Sequence, residues 1–342
     1  MAATTQIQDL YKELLAALAD GERAAVVSAY GPDGATEKTV VRASDAEGWG
    51  GVERLASFEG AVTDGPLTHV PADGGLTVIE RYLPKPRLVI LGGGHIALAL
   101  SQMAKLAEFS VLVFDDRPAF ASKERFPFAD EVIMDDFTKL FERVKIRETD
   151  YVCIVTRGHK HDQECLEGVL KGTEPAYTGM IGSRRRVAIV MKQLEDAGYD
   201  RAALDLVHTP IGLKIGAVTP AEISVSILAE IISVFRAKNN LTCDIETAEA
   251  LAAGGAGMDA LLTILETHGS VPRETGAKMA MTYEGRILGT IGGGCAESDV
   301  MHDARTVIRE GGWRLKTVDM TGTAEEDGMV CGGQMQVLIE RI

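Results

Sequence analysis

Apolar positions along the chain fall into three blocks with different periods. Leu10, Leu14, Leu15 and Leu18 recur three and four residues apart, which predicts an amphipathic helix over 8–19, closed by Asp20-Gly21. Short alternating runs at 24–29 and 38–42 flank Gly31-Pro32-Asp33-Gly34 and predict two strands around a turn. Residues 48–51, with Trp49 among glycines, read as a loop, and 76–83 as a final strand. Pro84 and Pro86 then interrupt the pattern, because proline does not fit inside a central strand.

The second block alternates continuous apolar runs with helical periods. RLVIL at 87–91 leads into Gly92-Gly93-Gly94-His95-Ile96-Ala97, a G-x-G-x-x-A pattern. An apolar helix through Phe109 follows, then a strand over 110–114 ending in Asp115, 23 residues beyond Gly92. Strand, glycine turn, helix, strand and terminal acid in this register predict a Rossmann fold that could take NAD or NADP, with Gly92, Gly94, Ala97 and Asp115 as its contacts. Further strands are expected at 131–134, 151–156 and 176–181, giving a parallel sheet. The loops 92–97, 156–162 and 182–186 should meet at its carboxyl edge, where Arg157, Ser183 and Arg184 either hold an anion or begin helices. His159, His161 and Asp162 suggest either a metal or a helix cap. Thr219-Pro220-Ala221-Glu222 opens a largely apolar helix through Phe235, suited to packing on the sheet or at a subunit interface. Residues 238–257, ending in Gly254-Gly255-Ala256-Gly257, read as a linker.

The third block carries the densest chemistry. A strand at 261–266 enters GSVPRETGAKMAMTYEGRILGTIGGGCAE, with a hairpin over 278–283 and 286–290 turning at Glu284-Gly285. Gly292, Gly293 and Gly294 precede Cys295, and Val300, Ala304, Val307 and Ile308 mark one face of the helix that follows. Strands at 314–320 and 334–342 bracket a second thiol, Cys331, beside Gly332-Gly333. Glycines let backbone amides approach an anion, and a helix N-terminus favours thiolate. Arg273 and Lys278 could add positive charge. There is also an echo: GGLTVIER at 74–81 resembles GGQMQVLIER at 332–341 with two residues gapped, so the N-terminal block reads as a repeat without the glycine run or cysteines. The expected fold class is α/β: a central Rossmann-like parallel-sheet domain (84–237), the linker, a small α+β C-terminal module (258–342) and a degenerate α+β N-terminal segment (1–83).

A net charge of −15 argues against a nucleic-acid surface. Five cysteines without regular spacing fit a reducing compartment. No apolar run reaches the roughly 18 residues of a membrane span, and the N-terminus lacks a signal-peptide pattern, so a cytoplasmic location is expected.

Through LVILGGGHIA, DDRPAFASKERFPFADEV, GMIGSRRR, PIGLKIGAVTPAEISVSILAEII, GSVPRETGAKM, GTIGGGCAE and GMVCGGQMQV, the chain resembles the xanthine dehydrogenase accessory proteins, the XdhC/CoxI family, over about 240 residues. The family commonly places the cysteine-bearing module first, whereas here the Rossmann domain precedes it. The resemblance implies a factor that binds molybdenum cofactor (molybdopterin), supports its sulfuration by a cysteine desulfurase and delivers it to a molybdenum hydroxylase apoenzyme. It would be a cofactor-binding and insertion chaperone more than a turnover enzyme. Carried over by motif, Cys295, Cys331, Gly292, Gly293, Gly294, Arg273 and Lys278 form the candidate cofactor site. The two cysteines would act as molybdenum ligands or sulfur carriers, or stand as small buried residues in tight loops. A homodimer is expected from the apolar helix and the incomplete look of the N-terminal block. Two alternatives stay open: an NAD(P)-dependent oxidoreductase using Asp115 with His95 or His159, and a nucleotide-sensing interaction module.

Overall fold

The computed structural model describes residues 2–72, 74–237, 241–254, 257–320 and 332–342; the side chains of His159 and Cys295 lie outside the description, as does Cys331 altogether. In chain order the elements are α1 (Ala2–Ala19), β1 (Ala24–Tyr30), β2 (Thr36–Arg42), α2 (Ala46–Ala56), β3 (Val62–Asp64), β4 (Leu67–Ala72) and β5 (Gly75–Tyr82). There follow β6 (Arg87–Leu91), α3 (His95–Leu106), β7 (Ser110–Asp115), β8 (Glu131–Met134), α4 (Leu140–Arg143), β9 (Asp150–Ile154), α5 (His159–Lys171), β10 (Tyr177–Met180), α6 (Arg184–Asp196), α7 (Arg201–Asp205) and α8 (Pro220–Ala237). The last block holds α9 (Ile245–Ala252), β11 (Ala260–His268), β12 (Lys278–Met281), β13 (Ile287–Gly289), α10 (Gly294–Glu310), β14 (Trp313–Asp319) and β15 (Gln334–Arg341).

The chain divides into two compact units, residues 85–240 and residues 1–84 with 241–342. The first is the expected doubly wound domain. Its five strands are all parallel, in the order β10-β9-β6-β7-β8. One face is covered by α3 and α8, where Leu100, Ile227 and Ile231 meet Leu88, Ile90 and Val113. Ser224 of α8 donates to the Ile96 carbonyl at 3.0 Å, which pins the helix to α3. The opposite face takes Leu140, Leu166, Val190 and Leu204 from the other helices.

In the second unit the N- and C-terminal blocks fold together as two five-stranded sheets, ordered β2-β1-β5-β4-β3 and β13-β12-β11-β15-β14. Four consecutive strands of each, β2-β1-β5-β4 and β12-β11-β15-β14, correspond one to one, and so do the registers. Ala25 faces Val41 and Arg81 on its neighbours, and Ala260 faces Met281 and Arg341. Ser28 faces Lys38 and Val78, and Thr263 faces Lys278 and Leu338. Helices correspond as well. Val52 of α2 covers Ala25 and Ile79, while Val300, Ala304 and Val307 of α10 cover a core that includes Ala260 and Ile339. On the other side the sheets meet each other through Tyr30, Leu67 and Val78 from one and Leu265, Leu338 and Trp313 from the other.

Two sequence expectations fail here. Residues 48–51 lie inside α2: the Asp45 carboxylate accepts from the Gly48 amide at 3.0 Å, and this cap with Val52 burial outweighs the glycines. Residues 238–257 are not simply a linker, because Asp244 caps α9, and Ala248 and Leu251 are buried in a core shared with Tyr11 and Leu14 of α1. The glycines at 254–257 obscured that helical period.

At the centre of this unit lie two ion pairs, each joining one module to the other. Lys38 Nζ reaches Glu340 Oε1 at 2.8 Å, and Lys278 Nζ reaches Glu80 Oε1 at 2.5 Å. Lys38 and Lys278 hold equivalent positions, as do Glu80 and Glu340, so the two bridges are related by exchange of the modules. Ser28 and Thr263 each accept a further bond from the lysine opposite them, at 3.1 and 2.9 Å. Burial is the largest single influence and would lower the Lys278 ammonium, but Glu80, Tyr11 and Cys243 together outweigh it and the pKa is raised. Burial likewise opposes Glu80, yet Lys278 and Lys38 together hold it below its ordinary value.

Candidate functional site

The glycine run before Cys295 and the pair Gly332-Gly333 gather at one end of the C-terminal sheet. The loop 269–273 leaves β11 beside Gly332 and Gly333: a Cβ on Gly333 would fall 2.5 Å from the Ser270 carbonyl oxygen. The same loop touches the glycine run, since a Cβ on Gly292 would fall 2.5 Å from Pro272 Cγ. One loop therefore packs against both cysteine-bearing segments, the run leading to Cys295 and the residues directly after Cys331. Cys295 is the second residue of α10, as the sequence places it. Cys331 lies outside the described residues.

The glycine run is less open to an anion than its composition suggests. The Gly292 amide donates to Thr290 Oγ1 at 3.1 Å and the Gly293 amide to Glu297 Oε1 at 3.0 Å. Glu297 also accepts from Thr290 Oγ1 at 2.6 Å, which makes a closed local network. Gly293 is the N-cap of α10 and supplies no side-chain acceptor to the first-turn amides, which have no acceptor within the helix itself. Gly294 is exposed at that end. Lys278 must be removed from the candidate site: it is fully buried on Glu80 and Thr263, on the face where the two modules meet. Arg273 is exposed on the loop and is, of the two basic candidates, the one that remains available.

In the Rossmann domain the three expected loops follow the adjacent strands β6, β9 and β10, at the point where strand order reverses. Gly92, at φ +110°, is required there because a Cβ would lie 2.6 Å from the Val155 carbonyl oxygen. Gly94 faces open space and caps α3 without a side-chain bond. Ala97 is buried on α3 and serves helix packing. Asp115 departs from the expected role of a free ribose acceptor. Its Oδ2 accepts from the Gly93 amide at 2.7 Å and from Arg117 Nη2 at 2.8 Å, and its Oδ1 from Arg117 Nε at 2.8 Å. Burial opposes its charge, but these bonds outweigh burial and lower the pKa. The acid braces the glycine loop, and Arg117 covers it.

Ser183 is the N-cap of α6, accepting from the Arg186 amide at 3.3 Å. Arg157, in the loop after β9, and Arg184, at the start of α6, are exposed. Asp162 is buried and tied to Thr156 Oγ1 at 2.5 Å and to Arg186, which joins the starts of α5 and α6. His161 stacks on Phe137 at 4.7 Å and meets Glu164 at 3.0 Å. Among the described residues, no three His, Cys, Asp or Glu side chains are grouped to hold a metal. Cys153, Cys165 and Cys243 are buried, and burial pushes each thiol far above its ordinary value, so they are chemically quiet.

Comparison with known proteins finds two family models that match this chain. Residues 88–231 match the XdhC Rossmann domain model and residues 250–319 match the XdhC and CoxI family model. The chain belongs to the XdhC family. It is similar to an uncharacterised protein, YqeB, of Escherichia coli strain K12, at 35% identity over 54% of this chain and 34% of that protein. In Bacillus subtilis strain 168 it is similar to a protein described as a probable xanthine dehydrogenase subunit, with 33% identity over 45% of this chain and 44% of the relative. A solved structure described as a xanthine dehydrogenase from Bacillus halodurans aligns at 27% identity with a TM-score of 0.46, over 65% of this chain and 62% of that one. The matched regions thus span between a third and under two thirds of these proteins. Among the described residues no helix is long and apolar enough to cross a membrane.

Proposed function

We propose that this chain is a maturation factor for a xanthine dehydrogenase-type molybdenum hydroxylase. It binds molybdenum cofactor, supports sulfuration of that cofactor by a cysteine desulfurase, and hands it to the apoenzyme. The observation that carries the reading is that both the Rossmann domain and the C-terminal module match XdhC family models, with a relative described as part of a probable xanthine dehydrogenase.

The donor set fits the cofactor in part. When bound, the cofactor supplies a soft metal and its sulfur, for which thiolate is the matching protein ligand. Cys295 and Cys331 hold it as ligands or carry sulfur towards it. Arg273 and the first-turn amides of α10 would take the terminal phosphate, a role for which Lys278 does not fit. The glycines at 292 and 293 allow the backbone path, with the Gly292 amide engaged by Thr290 and the Gly293 amide by Glu297.

A nucleotide at the Rossmann loop, NAD or NADP, is a separate proposal supported by the open, uncapped Gly94. For it to use Asp115, Arg117 must first leave that carboxylate. A homodimer, if formed, uses a surface other than the inner face of the N-terminal block, which the C-terminal module covers.

Purified full-length chain from a host that makes the cofactor should carry pterin and molybdenum. Cys295→Ala and Cys331→Ala should each weaken cofactor binding by at least about tenfold, a loss on the order of one ligand bond. Unchanged affinity in both variants would sink the cysteine role.

A further inference from the structure

The N-terminal module has neither the glycine run nor the cysteines, yet it reaches the loop on which both depend. We propose that Asp64, at the end of β3, is a positioning residue for the loop 268–274, so that the candidate cofactor site is built by both modules. The proposal rests on the reading of that loop as part of the cofactor site.

A single carboxylate oxygen closes the neck of the loop. Asp64 Oδ2 accepts from the Thr267 amide at 3.0 Å, from Thr267 Oγ1 at 3.2 Å, and from Thr275 Oγ1. Thr267 lies near the end of β11 and Thr275 three residues before β12, so these are the two stems on which the loop stands. The two threonine hydroxyls are themselves 3.5 Å apart across the neck. Thr275 is buried, so its bond to Asp64 is shielded from water and its loss would leave a buried hydroxyl without that partner.

A second tie lies beside the first. His69 of β4 meets Glu266 at 2.5 Å, and the other oxygen of Glu266 lies 3.4 Å from His268, the residue that opens the loop. The register of β11 against β15 shifts between Ile264 and Glu266. Such an irregularity re-aims the residues that follow it, and here both Glu266 and Thr267 have partners in the N-terminal sheet. Beyond the stems the loop touches Gly292 through Pro272, and Gly269 lies against Gly332: a Cβ at Gly269 would fall 3.0 Å from the Gly332 carbonyl oxygen. A shift of the neck is thereby passed to both cysteine-bearing segments.

The arrangement assigns Asp64 a role that acts through Thr267 and Thr275 rather than on the cofactor itself. Nothing in the local sequence of β3 marks this acid, because its partners lie about two hundred residues away along the chain.

The test uses the full-length chain. Asp64→Ala should speed amide hydrogen exchange over 267–276 by about tenfold or more, while the strands of the Rossmann domain exchange as before. Thr275→Val should loosen the same segment, and Thr275→Ser, which keeps the hydroxyl, should restore it. The alkylation rate of Cys295, followed against pH by peptide mass spectrometry, should change severalfold in Asp64→Ala and Thr275→Val but not in Thr275→Ser. Unchanged exchange over 267–276 in Thr275→Val and Asp64→Ala, or equal effects of valine and serine at 275, would overturn the proposal. If the loop loosens and Cys295 changes reactivity but cofactor binding is unaffected, the positioning role stands and the cofactor reading of the site falls. If Cys295→Ala abolishes cofactor binding while Asp64→Ala leaves loop and binding intact, the reverse holds.

Discussion

The N-terminal and C-terminal modules share a strand order, a register and a helix on the outer face of each sheet, and they differ in what stands before that helix. In the N-terminal copy Asp45 precedes α2 and closes its first turn with a side-chain bond to Gly48. In the C-terminal copy Gly293 precedes α10 and offers no side chain, while Glu297 turns back to hold the glycine run. One copy uses its helix start for stability. The other has no side-chain cap bond at its helix start and places Cys295 in the first turn. In the proposed reading the same scaffold serves the cofactor in one half and, in the other, braces the loop of the candidate site.

The comparison is sharpest at the two exchanged ion pairs, and the largest effect is expected there. Glu80→Ala leaves Lys278 charged and buried with no carboxylate, and should cost about 3–5 kcal/mol in denaturant unfolding. The exchanged variant, Glu340→Ala, should cost an amount of the same order, because Lys38 loses its directly bonded carboxylate and keeps only the attraction of Glu80. Adding Lys278→Met to a Glu80→Met chain should recover most of the loss, since well-packed apolar replacements of a buried pair are often neutral. Equal, large losses in both single variants support equivalence of the modules; a loss confined to one would break it.

The pairs also set a pH window. Glu80 is held below its ordinary value of 4.5, so its contribution is present above that pH and is lost as pH falls through the lowered folded-state value. Lys278 is raised above its ordinary value of 10.5, so its contribution is complete below that pH and is lost as pH rises through the folded-state value. Unfolding of this unit, followed by Trp313 fluorescence, should therefore show a plateau of stability between these limits. In a Glu80→Met, Lys278→Met chain, the part of each limb due to this pair should disappear. Limbs identical to those of the parent chain would argue against the pair as their source.

A smaller test concerns the turns that each module sends into the other. Gly34, in the β1–β2 turn, and Gly276, in the β11–β12 loop, both have positive φ, at +83° and +86°. A Cβ on Gly34 would lie 3.2 Å from Gly312 Cα, and one on Gly276 would lie 2.9 Å from Pro66 Cγ. Gly312 and Pro66 are equivalent, each accepting from the backbone amide of the arginine in the last strand of its own sheet. Alanine at either glycine should cost about 1–3 kcal/mol by thermal unfolding, with Gly276→Ala the costlier because its contact is tighter. A cost at Gly276 well below that at Gly34 would show that the loop in the C-terminal copy yields where the short turn does not.

Much of this molecule can be read from local pattern. The Rossmann domain is legible because its signals are near neighbours: strand, glycine turn, helix and terminal acid lie within a few tens of residues. The echo of VIER at 78–81 in LIER at 338–341 already contains the repeat, and with it the equivalence of Glu80 and Glu340. Cys295 at a helix start follows from the glycines before it and the apolar face behind it. The helices at 46–56 and 245–252 were hidden by glycine clusters, whose breaking signal is local while the packing that overrides it is not.

Residue types and spacing determined which segments could be strand, helix or glycine loop, and which side chains could carry chemistry. Only the tertiary structure decided what those side chains do. Lys278 reads as a phosphate ligand until Glu80, from the far end of the chain, takes it into the interior. Asp115 reads as a ribose acceptor until Arg117 and Gly93 occupy both its oxygens. Asp64 reads as an unremarked acid until the two sheets meet and place it under the loop of the other module. The physical reason is common to all three: a charge exchanges water for whatever partner the fold brings within hydrogen-bonding distance. The identity of that partner depends on contacts between distant segments, which no local pattern encodes.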